Sequence, residues 1–372
     1  MKILYLIQTT WTWILQRSQV IELGIENYYE CLVLDKIFIP SKKETLNLTL
    51  PKNIKYVPQL RGAGKIRLLA KINRFLYKKF VQQEIKKSDV IWLCSPTFYE
   101  YVPNNYKGFI IYDCMDDHVA LASTNTEKKI IQRTEKKLIQ RADIIFASSN
   151  RLIEIKPGMN EAFLIRNGFV AENPQLPKPS VKRERYKLGY FGAIETWFDF
   201  ESLIKSTELL GNIEYHLIGP IKLKKFGTDI LNIEKTWNDK RIFLEGTVSH
   251  EQLRTSVSDY DALIMPFLVN DIILSVDPVK LYEYICFGKC VISIWYPEIE
   301  HFSPYVYFYH NEDELVNLLR ILSQNGFKPK YNREQQLEFL NNNSWDNRCE
   351  QILKILKNNK KFSTIMNHQK TY

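Results

Sequence analysis

Lys280 and Glu283 stand three residues apart in the stretch Asp277-Pro278-Val279-Lys280-Leu281-Tyr282-Glu283-Tyr284-Ile285-Cys286-Phe287-Gly288. That spacing places a cation and a carboxylate on one face of a helix. Asp277 suits the N-cap, Pro278 the first helical position, and Leu281, Tyr284 and Ile285 an apolar face that Gly288 ends. Lys280 then falls in the first turn. Unpaired N–H groups and the positive end of the helix dipole attract an anion there, and the lysine adds a full charge. Glu283 can accept hydrogen bonds from hydroxyls of the same ligand. Phosphate plus diol describes a nucleotide. The plain alternative is a solvated Lys–Glu pair beside an N-cap.

A second cluster, Tyr112-Asp113-Cys114-Met115-Asp116-Asp117-His118, directly follows an apolar run. Asp113, Asp116 and Asp117 are candidate catalytic residues, able to hold sugar or acceptor hydroxyls, with a carboxylate as a base. A solvated loop is the ordinary fate of such charge, and two aspartates with a histidine also allow a divalent ion. Arg17 follows the first expected strand and can meet a phosphate or an acceptor, or form a salt bridge. Arg166 and Asn167 follow a later strand and are expected at a cleft, although Asn167-Gly168 is also an ordinary turn signal.

The elements that must position these groups alternate. Met1–Gln8, Cys31–Leu34, Val90–Cys94, Phe109–Tyr112, Ile144–Ala147 and Phe163–Ile165 read as strands between helical stretches, as do Lys187–Ile194, Ile213–Ile218, a run from Ile242, Asp261–Phe267 and Cys290–Ile294. Such alternation means right-handed βαβ units and mainly parallel sheets, which bind ligands beyond the strands' carboxyl ends. Pro174, Pro177 and Pro179 among charges mark a linker over 172–185. The expected division is 1–171, linker 172–185, 186–343, a closing helix 344–358 capped within Asn343-Ser344-Trp345-Asp346-Asn347-Arg348, and a basic tail 359–372. Gly192 ends the strand that opens the second domain, where close backbone approach to a ligand is possible.

At 372 residues and 45% hydrophobic the chain can fill two cores. No run approaches the roughly 20 apolar residues of a spanning helix. Six cysteines without C-x-x-C spacing predict reduced thiols, a cytoplasmic setting and no structural zinc. A net charge of +9 favours anionic partners. Seven Lys or Arg and no acid lie between Arg61 and Gln83, where Leu69, Ile72, Leu76 and Phe80 recur at helical spacing. This predicts a basic amphipathic helix whose stripe is core or lies on a membrane, with core the expected fate, and the segment Arg61–Lys87 as a surface for anionic lipid. Gly62-Ala63-Gly64-Lys65 lacks the spacing of a phosphate loop, and no nucleic-acid reader is recognisable, so no nucleic-acid partner is expected.

Lys280-Leu281-Tyr282-Glu283-Tyr284 and Gly288-Lys289-Cys290-Val291-Ile292-Ser293 resemble the donor-binding helix and following strand of GT-B glycosyltransferases of the family 4 type. The likeness is to the branch that builds bacterial cell-surface polysaccharide, capsule or teichuronic-acid-like. Gln16-Arg17, the Tyr112–Asp117 string, Ser148-Ser149-Asn150-Arg151-Leu152, Asn167-Gly168 and Gly189-Tyr190-Phe191-Gly192-Ala193-Ile194 with Trp197 and Asp199 resemble further positions of that branch. The resemblance implies an α/β GT-B fold, two Rossmann-like domains with parallel sheets facing across a cleft and a C-terminal helix crossing back to the first domain. It implies transfer of a sugar from a nucleoside-diphosphate sugar, with a UDP-sugar expected, to a saccharide or lipid-linked acceptor in capsule or O-antigen synthesis. Gly192, Gly246, Thr247, Lys280 and Glu283 would bind the donor, Gly246 and Thr247 meeting the base through backbone groups. No cofactor or metal would be needed, the anomeric configuration would be retained, and the enzyme would sit in the cytoplasm or peripherally on the inner face of the plasma membrane. One departure stands out: retaining members carry a glutamate eight positions before the one matched by Glu283, and here that position is Ser275. A sugar-nucleotide epimerase on the same scaffold and a non-catalytic scaffold protein are the alternatives.

Overall fold

The computed structural model describes residues 1–11, 16–39, 49–63, 66–159, 161–170, 174–177, 181–221 and 239–368. Residues 172, 173 and 178–180 of the expected linker, Gly64 and Lys65, and the last four residues of the tail lie outside the described residues. The chain forms two compact units. The first comprises Met1–Gly168 with Trp345–Tyr372, and the second Phe169–Ser344.

The first unit is built on seven parallel strands: β1 (Lys2–Leu6), β2 (Glu30–Ile39), β3 (Ile54–Leu60), β4 (Val90–Leu93), β5 (Phe109–Cys114), β6 (Ile144–Ala147) and β7 (Phe163–Leu164), in the order β3-β2-β1-β4-β5-β6-β7. The central strands are apolar at successive positions because helices cover both faces and neither side of the pleat meets water. Ile3, Tyr5, Trp92 and Phe109 point to one face, where Ile352, Leu353, Leu356 and Phe362 of the C-terminal helices Trp345–Asn358 and Lys360–His368 join them. Leu4, Leu6, Ile91 and Tyr112 point to the other. The strand order reverses between β1 and β4, so ligand chemistry is expected where β1, β4 and β5 end.

The second unit repeats the plan with β8 (Tyr186–Phe191), β9 (Ile213–Ile218), β10 (Ile242–Gly246), β11 (Ala262–Met265), β12 (Cys290–Ile294) and β13 (Val306–Tyr309), all parallel, in the order β10-β9-β8-β11-β12-β13. Its reversal lies between β8 and β11. Both units are thus Rossmann-like, as expected for an α/β GT-B chain.

Two edge strands, β3 and β13, are absent from the sequence reading. β3 alternates buried Val57 with exposed neighbours and contains Pro58, and both features hide an edge strand from an apolar-run criterion. The helix Arg67–Ile85 forms as expected, but rotated about its axis from the expected stripe. It buries Asn73, Tyr77, Val81, Glu84 and Ile85, while Leu69 and Leu76 are half-buried and Ile72 and Phe80 exposed. The physical reason is a pair of hydrogen bonds to the end of β3. The Asn73 Oδ1 accepts from Leu60 N at 2.8 Å and its Nδ2 donates to Leu60 O at 2.9 Å, which turns that side inward. A polar residue sets the phase of the helix.

Candidate functional site

In the second unit, the helix Val279–Cys286 buries Leu281, Tyr282, Tyr284 and Ile285, and its last carbonyls are taken by the Tyr331 hydroxyl and the Gln336 amide. Its start differs from the expectation. Pro278, not Asp277, is the N-cap residue, and among the described residues no side chain caps the first turn. The Asp277 carboxylate accepts instead from the Tyr282 hydroxyl at 3.1 Å. A buried phenol outcompetes the helix for that carboxylate, and among the described residues the first-turn N–H groups have no side-chain acceptor. Lys280 is the second residue of the helix, and Glu283 lies one turn on.

The glycines at the strand exits are fitted to that lysine. Gly192 follows β8 with φ +140°, and a Cβ there would stand 2.3 Å from Lys280 Cε and 2.8 Å from its Nζ. Gly219 follows β9 with φ +142°, and a Cβ there would stand 2.0 Å from the Gly192 carbonyl oxygen. Gly192 N donates to Ile218 O at 2.9 Å and Gly219 N to Gly246 O at 2.7 Å, so three consecutive strand exits are tied together. The Lys280 ammonium rests 5.9 Å from the Tyr190 ring centroid. Among the described residues no carboxylate comes within ion-pair distance of it. Burial pulls the lysine's pKa down while Glu283 and Glu195 act in the other direction, and burial pushes the Glu283 carboxyl up. A cation held at a strand-exit turn with its charge incompletely matched is arranged for an anion. Gly246 (φ +71°) and Thr247 are exposed at the end of β10, with open space where a Gly246 Cβ would stand, so their backbone is accessible to a ligand. Glu195, in the loop after Gly192, had no motif to single it out.

In the first unit, the three aspartates after β5 separate into different environments. Asp113 is fully buried in β5 and pairs with Arg17 through Nε–Oδ1 at 3.1 Å and Nη2–Oδ1 at 2.9 Å. Arg17 also donates to the carbonyls of Ile165 at 2.7 Å and Arg166 at 3.2 Å and to Asn167 Oδ1 at 3.4 Å, while Arg348 Nε donates to Asn167 O at 3.1 Å. Of its two expected fates, Arg17 takes the salt bridge. Arg17, Asp113, Arg166 and Asn167 are therefore brought together as a brace joining the ends of β5 and β7 to the helix Arg17–Ile25. Asp113→Asn weakens a buried ion pair and is expected to cost about 3–5 kcal/mol. The check is the urea midpoint of the first unit, and an unchanged midpoint would remove the pair from the stability of that unit.

Asp117 Oδ1 accepts from Val119 N at 3.1 Å and from Lys156 Nζ at 3.3 Å. Lys156 also donates to Glu135 Oε2 at 2.8 Å, and Glu135 Oε1 accepts from the Tyr112 hydroxyl at 2.6 Å. Glu135 was not singled out, although a carboxylate within the apolar stripe of Ile131, Leu138 and Ile139 was a readable signal. His118 is buried with Nε2 unpartnered among the described residues, and burial, helped by Lys156, brings its pKa down to about 4, so it is neutral.

Asp116 differs from both neighbours. It is half-buried, and among the described residues nothing donates to its carboxylate. Burial pushes its pKa up to about 6, with Arg17 lowering it and Asp113 and Asp117 raising it. A carboxylate close to its ionisation point, with open acceptor lone pairs beyond a central strand, can bind a hydroxyl. Among the described residues no group of three His, Cys, Asp or Glu side chains is placed to hold a metal ion. Ser275 is buried, with its hydroxyl 3.5 Å from the Asp271 carbonyl.

No family model matches the chain. Over 271 residues it is 25% identical to TuaH of Bacillus subtilis (strain 168), provisionally described as a teichuronic acid biosynthesis glycosyltransferase, and the match covers 66% of each protein, just under two thirds. Among solved structures, sucrose-phosphate synthase from Thermosynechococcus elongatus superposes with a TM-score of 0.70 at 11% identity, covering 95% of this chain and 98% of that one. Anabaena Alr3699/HepE, solved in complex with UDP and glucose, gives 0.68 at 14% identity over 96% and 100%. The lipopolysaccharide outer core galactosyltransferase WaaB gives 0.65 at 14% identity over 94% and 98%. At these identities the solved structures establish the fold.

Proposed function

We propose that this chain is a GT-B glycosyltransferase that moves a sugar from a nucleoside-diphosphate sugar to a saccharide or lipid-linked saccharide acceptor in the synthesis of a bacterial surface polysaccharide. The observation that carries this reading is the fit of Lys280 against Gly192 beside an uncapped helix start. Together they supply an ammonium and the N–H groups of a first turn without a side-chain cap to a diphosphate at the switch point of a Rossmann-like unit. Glu283 accepts from the ribose hydroxyls, and the exposed backbone of Gly246 and Thr247 meets the base. The second unit holds the donor and the first provides the acceptor-side groups, with Asp116 taking a hydroxyl and the Arg17–Asp113 brace and the Asp117–Lys156 pair fixing its loop. In the transfer, the bond from the anomeric carbon to the diphosphate breaks as a bond to the acceptor oxygen forms, the diphosphate leaves with the bonding electron pair, and the acceptor hydroxyl gives its proton to the Asp116 carboxylate. Charge-assisted hydrogen bonds to the departing diphosphate lower that barrier.

UDP is the proposed nucleotide, supported by the UDP in the HepE complex, and the surface-polysaccharide setting is supported by the likeness to TuaH. Metal independence and retention of configuration rest on the family resemblance. Lys280 and the helix start furnish the positive charge that a divalent ion would otherwise bring, whereas Ser275 contributes no carboxylate where retaining relatives have one. The reaction is placed in the cytoplasm, at the inner face of the membrane when the acceptor is lipid-linked. A thermal-shift panel of UDP, GDP, TDP and CMP with their common sugar conjugates, with and without Mg²⁺, tests the donor site. A ligand at 100 times its Kd adds about 2.7 kcal/mol to the native state. Selective stabilisation by UDP or a UDP-sugar without Mg²⁺ is the expected result, and a folded protein that responds to none of these ligands would overturn the reading.

A further inference from the structure

The helix Arg67–Ile85 presents a face that the sugar-transfer chemistry does not use. With Asn73, Tyr77, Val81 and Ile85 turned inward, Leu68, Ile72 and Phe75 point away from the sheet, spaced four and three residues apart in one stripe. They are 66%, 37% and 62% exposed. Lys71, Lys78 and Lys79 lie on the same outward side and Arg67 at its edge, all exposed, and the helix carries no acid before Glu84. Lys79 stretches its ammonium to 5.7 Å from the Phe75 ring centroid. Arg74 is paired with Glu100, which leaves the other cations of the helix for a partner.

An apolar stripe at the apex of a helix, flanked by cations without acids, is out of place against water. It matches the layered chemistry of an anionic bilayer surface, where apolar tips enter the acyl boundary and lysine stems reach the phosphates. The rotation of the helix strengthens the match, because Asn73 and Tyr77 hold this face outward and the sheet cannot cover it. Ile66, just before the helix, and Leu60, at the end of the edge strand β3, extend the exposed apolar surface.

We infer that the outward face of Arg67–Ile85 docks the protein on an anionic lipid surface, with Leu68, Ile72 and Phe75 inserted and Arg67, Lys71, Lys78 and Lys79 on the lipid phosphates. This deepens the proposed use of a lipid-linked acceptor and names the surface through which that acceptor's membrane is met.

Co-sedimentation of the full chain with phosphatidylcholine vesicles, with and without phosphatidylglycerol and at low and high salt, tests it. The wild type is expected to sediment with the anionic vesicles alone and to keep part of that binding at high salt. Replacing Lys71, Lys78 and Lys79 together by glutamine should weaken low-salt binding about 100-fold. Leu68→Ser with Phe75→Ser should remove the salt-resistant part. All five side chains are exposed, and unchanged melting curves confirm that the variants fold. A wild type that stays in the supernatant, or variants that sediment like it, would overturn the inference. So would gel filtration that shows a dimer dispersed by Phe75→Ser in a protein that ignores vesicles, since the face would then belong to a second copy. The sugar-transfer reading is separable, because UDP stabilisation is measured without lipid.

Discussion

Lys280→Ala is expected to weaken binding of UDP by about 10- to 150-fold, the range that follows from losing one hydrogen-bonded charge worth about 1.5–3 kcal/mol. Lys280 is half-buried, its pKa is drawn down by burial, and its ammonium rests 5.9 Å from the Tyr190 ring centroid. A lysine serving stability alone would be paired or would extend to solvent; this one is held where a diphosphate would match it. Gly192→Ala is the companion variant. Its Cβ would stand 2.3 Å from the lysine Cε, on a backbone at φ +140° that side chains rarely adopt, so it should displace the ammonium without removing it. Calorimetric titration with UDP should then rank wild type, Gly192→Ala and Lys280→Ala in descending affinity. Equal affinity for wild type and Lys280→Ala would assign the lysine to structure and leave the nucleotide site without its main charge.

The parts of this site legible in the sequence were those that depend on local spacing. Lys280 and Glu283 share a helix face because residues three apart must, and Gly288 ends that helix at φ +64° as a glycine stop does. The buried strands of both sheets announced themselves as apolar runs bounded by turns. What spacing does not encode is competition between partners distant in the chain. Asp277 looks like a helix cap until the Tyr282 hydroxyl takes it. Arg17 and Asp113 are 96 positions apart, and only the parallel register of β1, β4 and β5 brings them into one salt bridge. The helix Arg67–Ile85 shows the same limit from the other side. Its stripe of Leu69, Ile72, Leu76 and Phe80 is legible at helical spacing, but the phase of the helix is set by Asn73 and the end of β3, a strand that no apolar run announces.

Asp116 provides the other large effect, and it acts on rate and stability in opposite directions. As a hydroxyl acceptor it must be ionised, so with a pKa of about 6 the rate should fall below that pH with a one-proton slope. Asp116→Asn should lower kcat about 10- to 100-fold at saturating donor, leave UDP binding intact and abolish that acid limb. Its neighbours Asp113 and Asp117 are already committed to Arg17 and Lys156, so neither can substitute. The sign of the stability effect follows from the same shift. A carboxyl whose pKa is raised on folding favours the native state only while protonated, so its stabilisation fades as pH climbs from the ordinary aspartate value towards about 6. Above that, the ionised group is a net cost of up to about 3 kcal/mol, reduced by whatever solvent reaches it. The asparagine variant should therefore melt higher than the wild type at pH 7 and lose that advantage near pH 4. A purely structural Asp116 would give the melting behaviour without the rate loss. If the variant turns over like the wild type with its acid limb in place, the hydroxyl contact must be sought elsewhere in the loop.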